Sequence, residues 1–304
     1  MHGLIITNQI VSSHIEYKVN RLIDEFSKLN VKIDVMKNDG TIAMIENSEI
    51  VINISMYDFV IYMDKDIYLA RLLEKSGYRL FNTANFIKLC DDKMLTYIYT
   101  ANKGIKMIKT ISNPLVYYDL NSFPYESFLK HVEKELGYPL IMKRVYGSLG
   151  IGVYLINNYD ELVKAYKKHA FEPLIFQEYQ RASRGYSIRV IVIDGQVIGA
   201  FKRINGTDFR SNYSDSASST VLDNPTKYLE FAQNIAEKLQ IEYAGIDLLD
   251  DVNGQPILCE INSNAFFEEF EKVTGINVAS QFAKMVLSKV RAKKEETDEK
   301  EIIF

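Results

Sequence analysis

The segment DLLDDVNGQPILCEIN, residues 247–262, places Asp247, Glu260 and Asn262 among residues otherwise suited to burial. Asn253-Gly254 is a strong short-range signal for a hairpin turn, because both residue types tolerate positive φ. With that pair at the centre of the turn, Val252 pairs with Gln255 and Asp247 stands directly across from Glu260. Pro256 then falls at a non-hydrogen-bonded position, where its missing N–H costs least. Alternation puts Asn262 on the face of Asp247 and Glu260, and Ile246, Leu248, Cys259 and Ile261 on the other. Like charges directly opposite destabilise a sheet unless something compensates, and a hard divalent cation does so through carboxylate and amide oxygens. The alternatives are a carboxyl that is protonated or turned to solvent, or a turn one residue longer that slips the pairing.

The rest of the chain supplies a scaffold in three stretches. Leu4–Thr7, Val31–Val35 and Phe59–Tyr62 read as strands, and Val19, Leu22, Ile23, Phe26 and Leu29 keep helical spacing. With a helix at Ile67–Leu73 this is a small α/β unit on a parallel sheet, without a glycine-rich dinucleotide loop. One helix is expected from about Ala84 to Asn102, then a loop from Ser112 to Pro124. Tyr138–Lys143 and Val153–Ile156 read as antiparallel strands joined by glycines, followed by a helix at Asp160–Lys168 and a strand at Leu174–Glu178. Ser187–Ile193 and Gln196–Arg203 flank Asp194-Gly195, a second hairpin signal. Tyr228, Phe231, Ala232, Ile235, Ala236 and Leu239 lay one apolar stripe on a helix, and a last helix begins near Val278 before a charged end expected to fray. The fold class is α+β with an α/β opening, divided as 1–88, 89–180, 181–292 and a charged tail at 293–304.

At 304 residues, 47% of them hydrophobic, the chain can bury more than one core. A net charge of −4 argues against a general nucleic-acid or membrane-surface role. Cys90 and Cys259 lie far apart in apolar surroundings, which suits a reducing cytoplasm rather than a disulfide framework. MHGLIITNQI has no charged segment leading into an apolar one, and no run of 18 apolar residues occurs.

Two more constellations carry chemistry. In KRVYGSLGIG, residues 143–152, Gly147, Gly150 and Gly152 let backbone N–H groups close on an anion, and Lys143 adds a point charge. No Gly-Lys-Ser/Thr follows, so this is not a Walker loop, and a flexible hairpin tip would look the same. Gln177-Glu178-Tyr179 could present backbone groups and Glu178 to an adenine edge, the plain alternative being a strand end with a surface Glu. Arg189 and Arg203 sit on adjacent strands, with Lys202, Arg210 and Asn212 nearby; guanidinium groups suit carboxylates and phosphates, and solvated strand-face charges are the alternative. The polar loop at 214–220 follows and could fold over a ligand. No Ser/His/Asp set and no Cys/His zinc spacing is present. Together the parts make a place for a nucleotide, Mg²⁺ and an acidic substrate, and phosphoryl transfer needs only positioning and charge stabilisation.

In these segments, and in their order from about Asp91 to Ala279, the chain resembles the ATP-grasp superfamily, in its RimK-like branch of glutamate ligases. The matching stretches are 138–153, 177–179, 187–192, 201–203, 209–212, 244–247 and 259–262. The resemblance implies two α+β domains gripping ATP behind a pre-ATP-grasp domain. It implies Lys93 and Lys143 on the phosphates, with Gly147, Ser148, Gly150 and Gly152 as their loop, and Glu178 and Tyr179 at adenine. Ser187 and Lys202 fall at nucleotide positions. Asp247, Glu260 and Asn262 would hold two Mg²⁺ ions, for which Mn²⁺ can substitute. Arg203, with Arg189, Arg210 and Asn212, would hold an acyl phosphate and an acidic substrate. The implied reaction joins a carboxylate to an amine through an acyl phosphate and releases ADP and phosphate. Amino acids or peptides are the implied substrates, with homo-oligomerisation left open.

Three positions depart from that pattern: Ser187 replaces an acidic residue, residues 214–217 replace a basic, glycine-rich stretch, and Ala265 stands where a proline is usual. These leave substrate identity open. The other readings are an inactive ATP-binding module in a larger assembly, a structural α/β protein, and a ligase that modifies a precursor peptide.

Overall fold

The computed structural model describes residues 1–120, 123–211 and 217–302, with Ala217 and 294–302 described in backbone only. β1 (His2–Asn8), α1 (Ser13–Lys28), β2 (Lys32–Asn38), β3 (Ala43–Glu46), β4 (Glu49–Ile52), β5 (Phe59–Tyr62), α2 (Ile67–Lys75) and β6 (Leu80–Phe81) open the chain. Four of these strands form the expected parallel sheet, in the order β2-β1-β5-β6. Period-2 alternation gives it two apolar faces: Leu4, Ile6, Val60 and Tyr62 meet the α2 side, while Ile5, Phe59 and Ile61 meet α1. The β3–β4 hairpin was not anticipated. Its turn is Asn47-Ser48, both at positive φ.

α3 (Ala84–Asp91) and α4 (Lys93–Thr100) replace the single helix expected over this stretch. Asp92 breaks it: its backbone is extended and its side chain accepts from Leu95 N, capping α4. That cap puts Lys93 in the first turn of a new helix.

β7 (Thr110–Ser112), α5 (Tyr125–Leu136), β8 (Leu140–Arg144), β9 (Val153–Ile156), α6 (Tyr159–His169) and β10 (Leu174–Glu178) come next. Their sheet is antiparallel, ordered β7-β10-β8-β9. One face, with Leu140, Met142, Leu174 and Phe176, packs on α5 and α6. The other carries Ile141, Lys143, Ile175 and Gln177, and is turned away from those helices.

A short 3-10 turn (Arg181–Ser183) leads to β11 (Tyr186–Ile193), β12 (Gln196–Asn205), β13 (Ala217–Val221), α7 (Thr226–Leu239), β14 (Tyr243–Asp250), β15 (Pro256–Asn262), α8 (Glu268–Thr274) and α9 (Val278–Ile302). The five strands pair antiparallel in the order β13-β12-β11-β14-β15. Ile188, Val190, Val192, Ile246 and Leu248 face α7, whose apolar stripe is the one expected. On the opposite face Ile191, Ile193 and Phe201 share a core with α9, α8, and the α1 side of the first sheet. α9 continues through the charged segment as far as Ile302. No helix among the described residues is long and apolar enough to cross a membrane.

Candidate active site

The acidic hairpin reaches the expected pairing by a different route. Asp251 Oδ1 accepts from the N–H groups of both Asn253 and Gln255, 2.8 Å each. That local turn lengthens the loop to three residues, with Gly254 at φ 69°, so Asp250 rather than Asp251 faces Pro256. A bulge at Cys259 then restores the lost residue, and Asp247 stands across from Glu260 after all. The bulge also corrects the facing of one side chain: Leu258, not Cys259, joins Ile246, Leu248 and Ile261 in the core. Cys259 instead turns to Lys143, whose Nζ lies 3.9 Å from its Sγ. Tyr97 caps the irregular carbonyls, its hydroxyl donating to Leu258 O at 3.1 Å and Cys259 O at 3.3 Å.

On the face that carries Asp247, register brings a charged cluster together. Arg189 lies across from Asp247, and Ser187 across from Arg203. Arg189 donates through Nε to Asp247 Oδ1 at 2.5 Å and through Nη2 to Oδ2 at 2.7 Å, the bidentate fit of a guanidinium to a carboxylate. Arg203 Nη2 donates to Asp247 Oδ1 at 2.5 Å, and Asn262 Nδ2 to Oδ2 at 3.2 Å. Ser187 Oγ accepts from Arg203 at 3.0 and 3.2 Å and lies 2.7 Å from Ser211 Oγ. Burial alone would raise the Asp247 pKa, but the charges and hydrogen bonds of Arg189 and Arg203 outweigh it and hold the carboxyl down at about 2. Gly245, beside Asp247 on this face, leaves room for the guanidinium: a Cβ there would lie 2.9 Å from Arg189 Nη1.

Glu260 is different. Among the described residues its side chain has no hydrogen-bond or ion-pair partner, although it is half-buried. An unspent carboxylate beside a carboxylate and an amide fits Mg²⁺, which takes one or two carboxylates and completes its shell with phosphate oxygens and water. No group of three or more His, Cys, Asp or Glu side chains suits a metal among the described residues, so such an ion would draw on Asn262 and a ligand.

The glycine loop is tied at three places. Lys93, buried at the start of α4, donates through Nζ to Gly147 O at 2.7 Å and Val145 O at 3.4 Å. Tyr146 OH donates to Asp92 at 3.0 Å. Arg210 Nη1, with its guanidinium also on Asp208, donates to Gly150 O at 2.9 Å from across the cleft. Leu149, Gly150 and Gly152 all have positive φ, and Ser148 O closes the turn by accepting from Ile151 N at 3.1 Å. A Cβ at Gly152 would collide with the Arg144 side chain.

Not every expected residue gathers here. Lys202 alternates onto the α7 face of its strand, with Nζ 4.1 Å from the Tyr186 ring centroid. Glu178 is exposed at the end of β10, while Gln177 shares the face of Lys143. Tyr179 meets Phe209 edge-on at 6.5 Å. Asn212 lies outside the described residues, as do residues 213–216, while 217–220 of the expected polar loop form part of β13, paired with β12. Sequence reasoning missed Asp92, Tyr97, Tyr146 and Gly245 as site residues. Only Asp92 carried a signal, as a cap-forming Asp inside a helical run. Arg189, Arg203, Asp247, Glu260 and Asn262 do converge, with Lys143 facing them through Cys259.

Comparison with known proteins fits this arrangement. The family model of the RimK-like ATP-grasp domain matches residues 90–286. An uncharacterised protein of Mycoplasma genitalium is 31% identical over 229 residues, covering 75% of this chain and 79% of that one. Human N-acetylaspartylglutamate synthase A is 31% identical over 231 residues, 74% of this chain but 56% of its own length, so the chain spans just over half of that relative. The D-alanine–D-alanine ligase of Bacillus anthracis superposes with a TM-score of 0.70 at 19% identity, covering 97% of this chain and 99% of that one, and shows the fold. Since the family match takes in well over half of the sequence, this protein belongs to the RimK-like ATP-grasp family and is a carboxylate–amine ligase that forms amide bonds.

Proposed function

We propose that the protein uses ATP and Mg²⁺ to join L-glutamate, as the amine, to the carboxylate of a small acidic metabolite or peptide through an acyl phosphate. The observation that carries this reading is the convergence of Arg189, Arg203, Asp247, Asn262 and Glu260, unpaired among the described residues, on one sheet face, with Lys143 of the glycine loop's strand 3.9 Å from Cys259 Sγ. In the first step a carboxylate oxygen takes the γ-phosphoryl group, and the bond from that phosphorus to ADP breaks. In the second the amine attacks the acyl carbon, the C–N bond forms, phosphate leaves, and the amine gives up its proton.

Lys143 and the N–H groups of the glycine loop hold phosphate oxygens. Lys93 acts on that loop through Gly147 and Val145. Arg189 and Arg203 supply positive charge where the acyl phosphate carries negative charge. Asp247, Glu260 and Asn262 would hold Mg²⁺, which when bound neutralises the transferring phosphates. The glutamate assignment follows the product for which the human relative is named.

The test is ADP release with L-glutamate and a panel of acids that includes N-acetyl-L-aspartate, other dicarboxylates and short acidic peptides. One pair should stimulate ADP rather than AMP, and hydroxylamine should divert the intermediate to a hydroxamate. Glu260→Gln should lower turnover on the order of a hundred-fold or more, as loss of a group that stabilises transition-state charge does. AMP as the nucleotide product with every active pair rejects the acyl-phosphate route.

A further inference from the structure

Directly after Asn262 the chain is gripped by the first sheet's own helix. Lys18 on α1 is 3% exposed. Its Nζ donates to Asn264 Oδ1 at 2.7 Å and to Ala265 O at 3.2 Å. The same ammonium lies 4.5 Å from the Tyr243 ring centroid, and the Tyr243 hydroxyl donates to that same Ala265 O at 2.7 Å. Asn264 Nδ2 reaches Met63 O at 2.9 Å, and Asn82 Nδ2 reaches Ser263 O at 2.7 Å. Three residues of the first unit thus hold three consecutive residues behind the acidic strand.

The ammonium has no carboxylate within ion-pair distance among the described residues. Burial without a counter-charge penalises the charged amine and pushes the Lys18 pKa down to about 7, a cost that a methionine of similar volume would not carry. Stability alone therefore does not account for a lysine here; what it holds does. Gly245 has Ala265 and Arg189 packed on one spot: a Cβ built there would lie 2.7 Å from Ala265 Cβ and 2.9 Å from Arg189 Cδ. Ala265 and Arg189 thus crowd the same side of Gly245, and the segment that Lys18 holds borders the guanidinium that grips Asp247.

We propose that Lys18 is a positioning residue for the ligase reaction: by anchoring Ala265 it fixes Arg189, and through Arg189 the Asp247 carboxylate, in the arrangement that acyl transfer requires. The proposal rests on the ligase reading above. Lys18 touches no reacting atom and acts only through the segment it holds.

Lys18→Met keeps the side chain's length and removes its three donors. With the acid–amine pair that releases most ADP in the panel above, kcat should fall about ten- to a hundred-fold, the range expected of a small misplacement away from the chemistry. ATP affinity by calorimetry with EDTA present should stay within about two-fold, because Lys18 makes no contact with the glycine loop, whereas the gain in affinity from Mg²⁺ should shrink as Asp247 shifts. Asn264→Ala removes one acceptor of the ammonium and should show the same split, so it carries the test should Lys18→Met not fold. A folded variant that turns over like the parent overturns the proposal, as does one that loses ATP binding in EDTA together with turnover. A parent protein that releases no ADP with any pair overturns the ligase reading instead, so the two failures are distinct.

Discussion

A methyl group added at Gly245 would meet Ala265 and Arg189 at once, at 2.7 and 2.9 Å. Neither neighbour is the loose end of a solvent-exposed chain. Arg189 is locked on Asp247 and Ala265 is 2% exposed. Gly245→Ala should therefore cost about 1–3 kcal/mol of stability, the usual range for overpacking, and lower turnover more than ATP affinity. Thermal melting and ADP release check the two halves of that expectation. Residues of this kind mark the limit of what the sequence shows. Glycines followed by a strand, and arginines on paired strands, announce themselves by type and spacing. Gly245 inside an apolar strand does not, because its role depends on which two distant side chains meet over it. Lys18 was nearer to legible: it stands one helical turn before Leu22 and two before Phe26, on the buried stripe of α1, but a charged residue there is read by default as exposed.

Elements were easier to read than their joints. The called strands and most of the called helices fall where periodicity puts them, but α5, α8 and β7 were not called, and β13 begins within the expected polar loop. Further misreadings sit at Asp92, at the β3–β4 hairpin and at the Asp251 loop. The acidic hairpin shows how a right pairing can come from a wrong route. The added turn residue and the bulge at Cys259 are each a one-residue error, and they cancel. At the same scale, α1 is fastened by Glu25, which accepts from Asn277, Lys28 and Arg21 at 3.0, 2.8 and 3.2 Å. The hydrogen bond from Asn277 and those from Lys28 and Arg21 hold its pKa down at about 2 against burial. A carboxylate with a lowered folded-state pKa adds stability above its unfolded pKa, and that stability is lost as pH falls through the folded value. Glu25→Gln should thus melt several degrees below the parent near neutral pH, with the gap closing as pH falls from about 4.5 toward 2. A gap that persists at the acid end would mean that packing, not charge, fastens this helix.

Across the whole molecule three sheets converge on β15 and the residues behind it. Ligand binding between them should be felt by the entire chain. Mg-ATP at about a hundred times its Kd should add about 2.7 kcal/mol and raise the melting temperature by several degrees, while ATP with excess chelator should give much less. Scanning calorimetry with and without EDTA measures the difference. The convergence itself is unusually complete. Met107 bridges to Leu258, Tyr97 and Lys143 meet Cys259, Asn82 takes Ser263, and Lys18 takes Asn264. Such a strand leaves no clean crossover point for recombination. A chimera that borrows its opening residues from a homologue inherits that homologue's answer to Ser263 and Asn264, and unless both sides of the joint are exchanged together, the graft arrives folded but out of tune with the chemistry it was meant to keep.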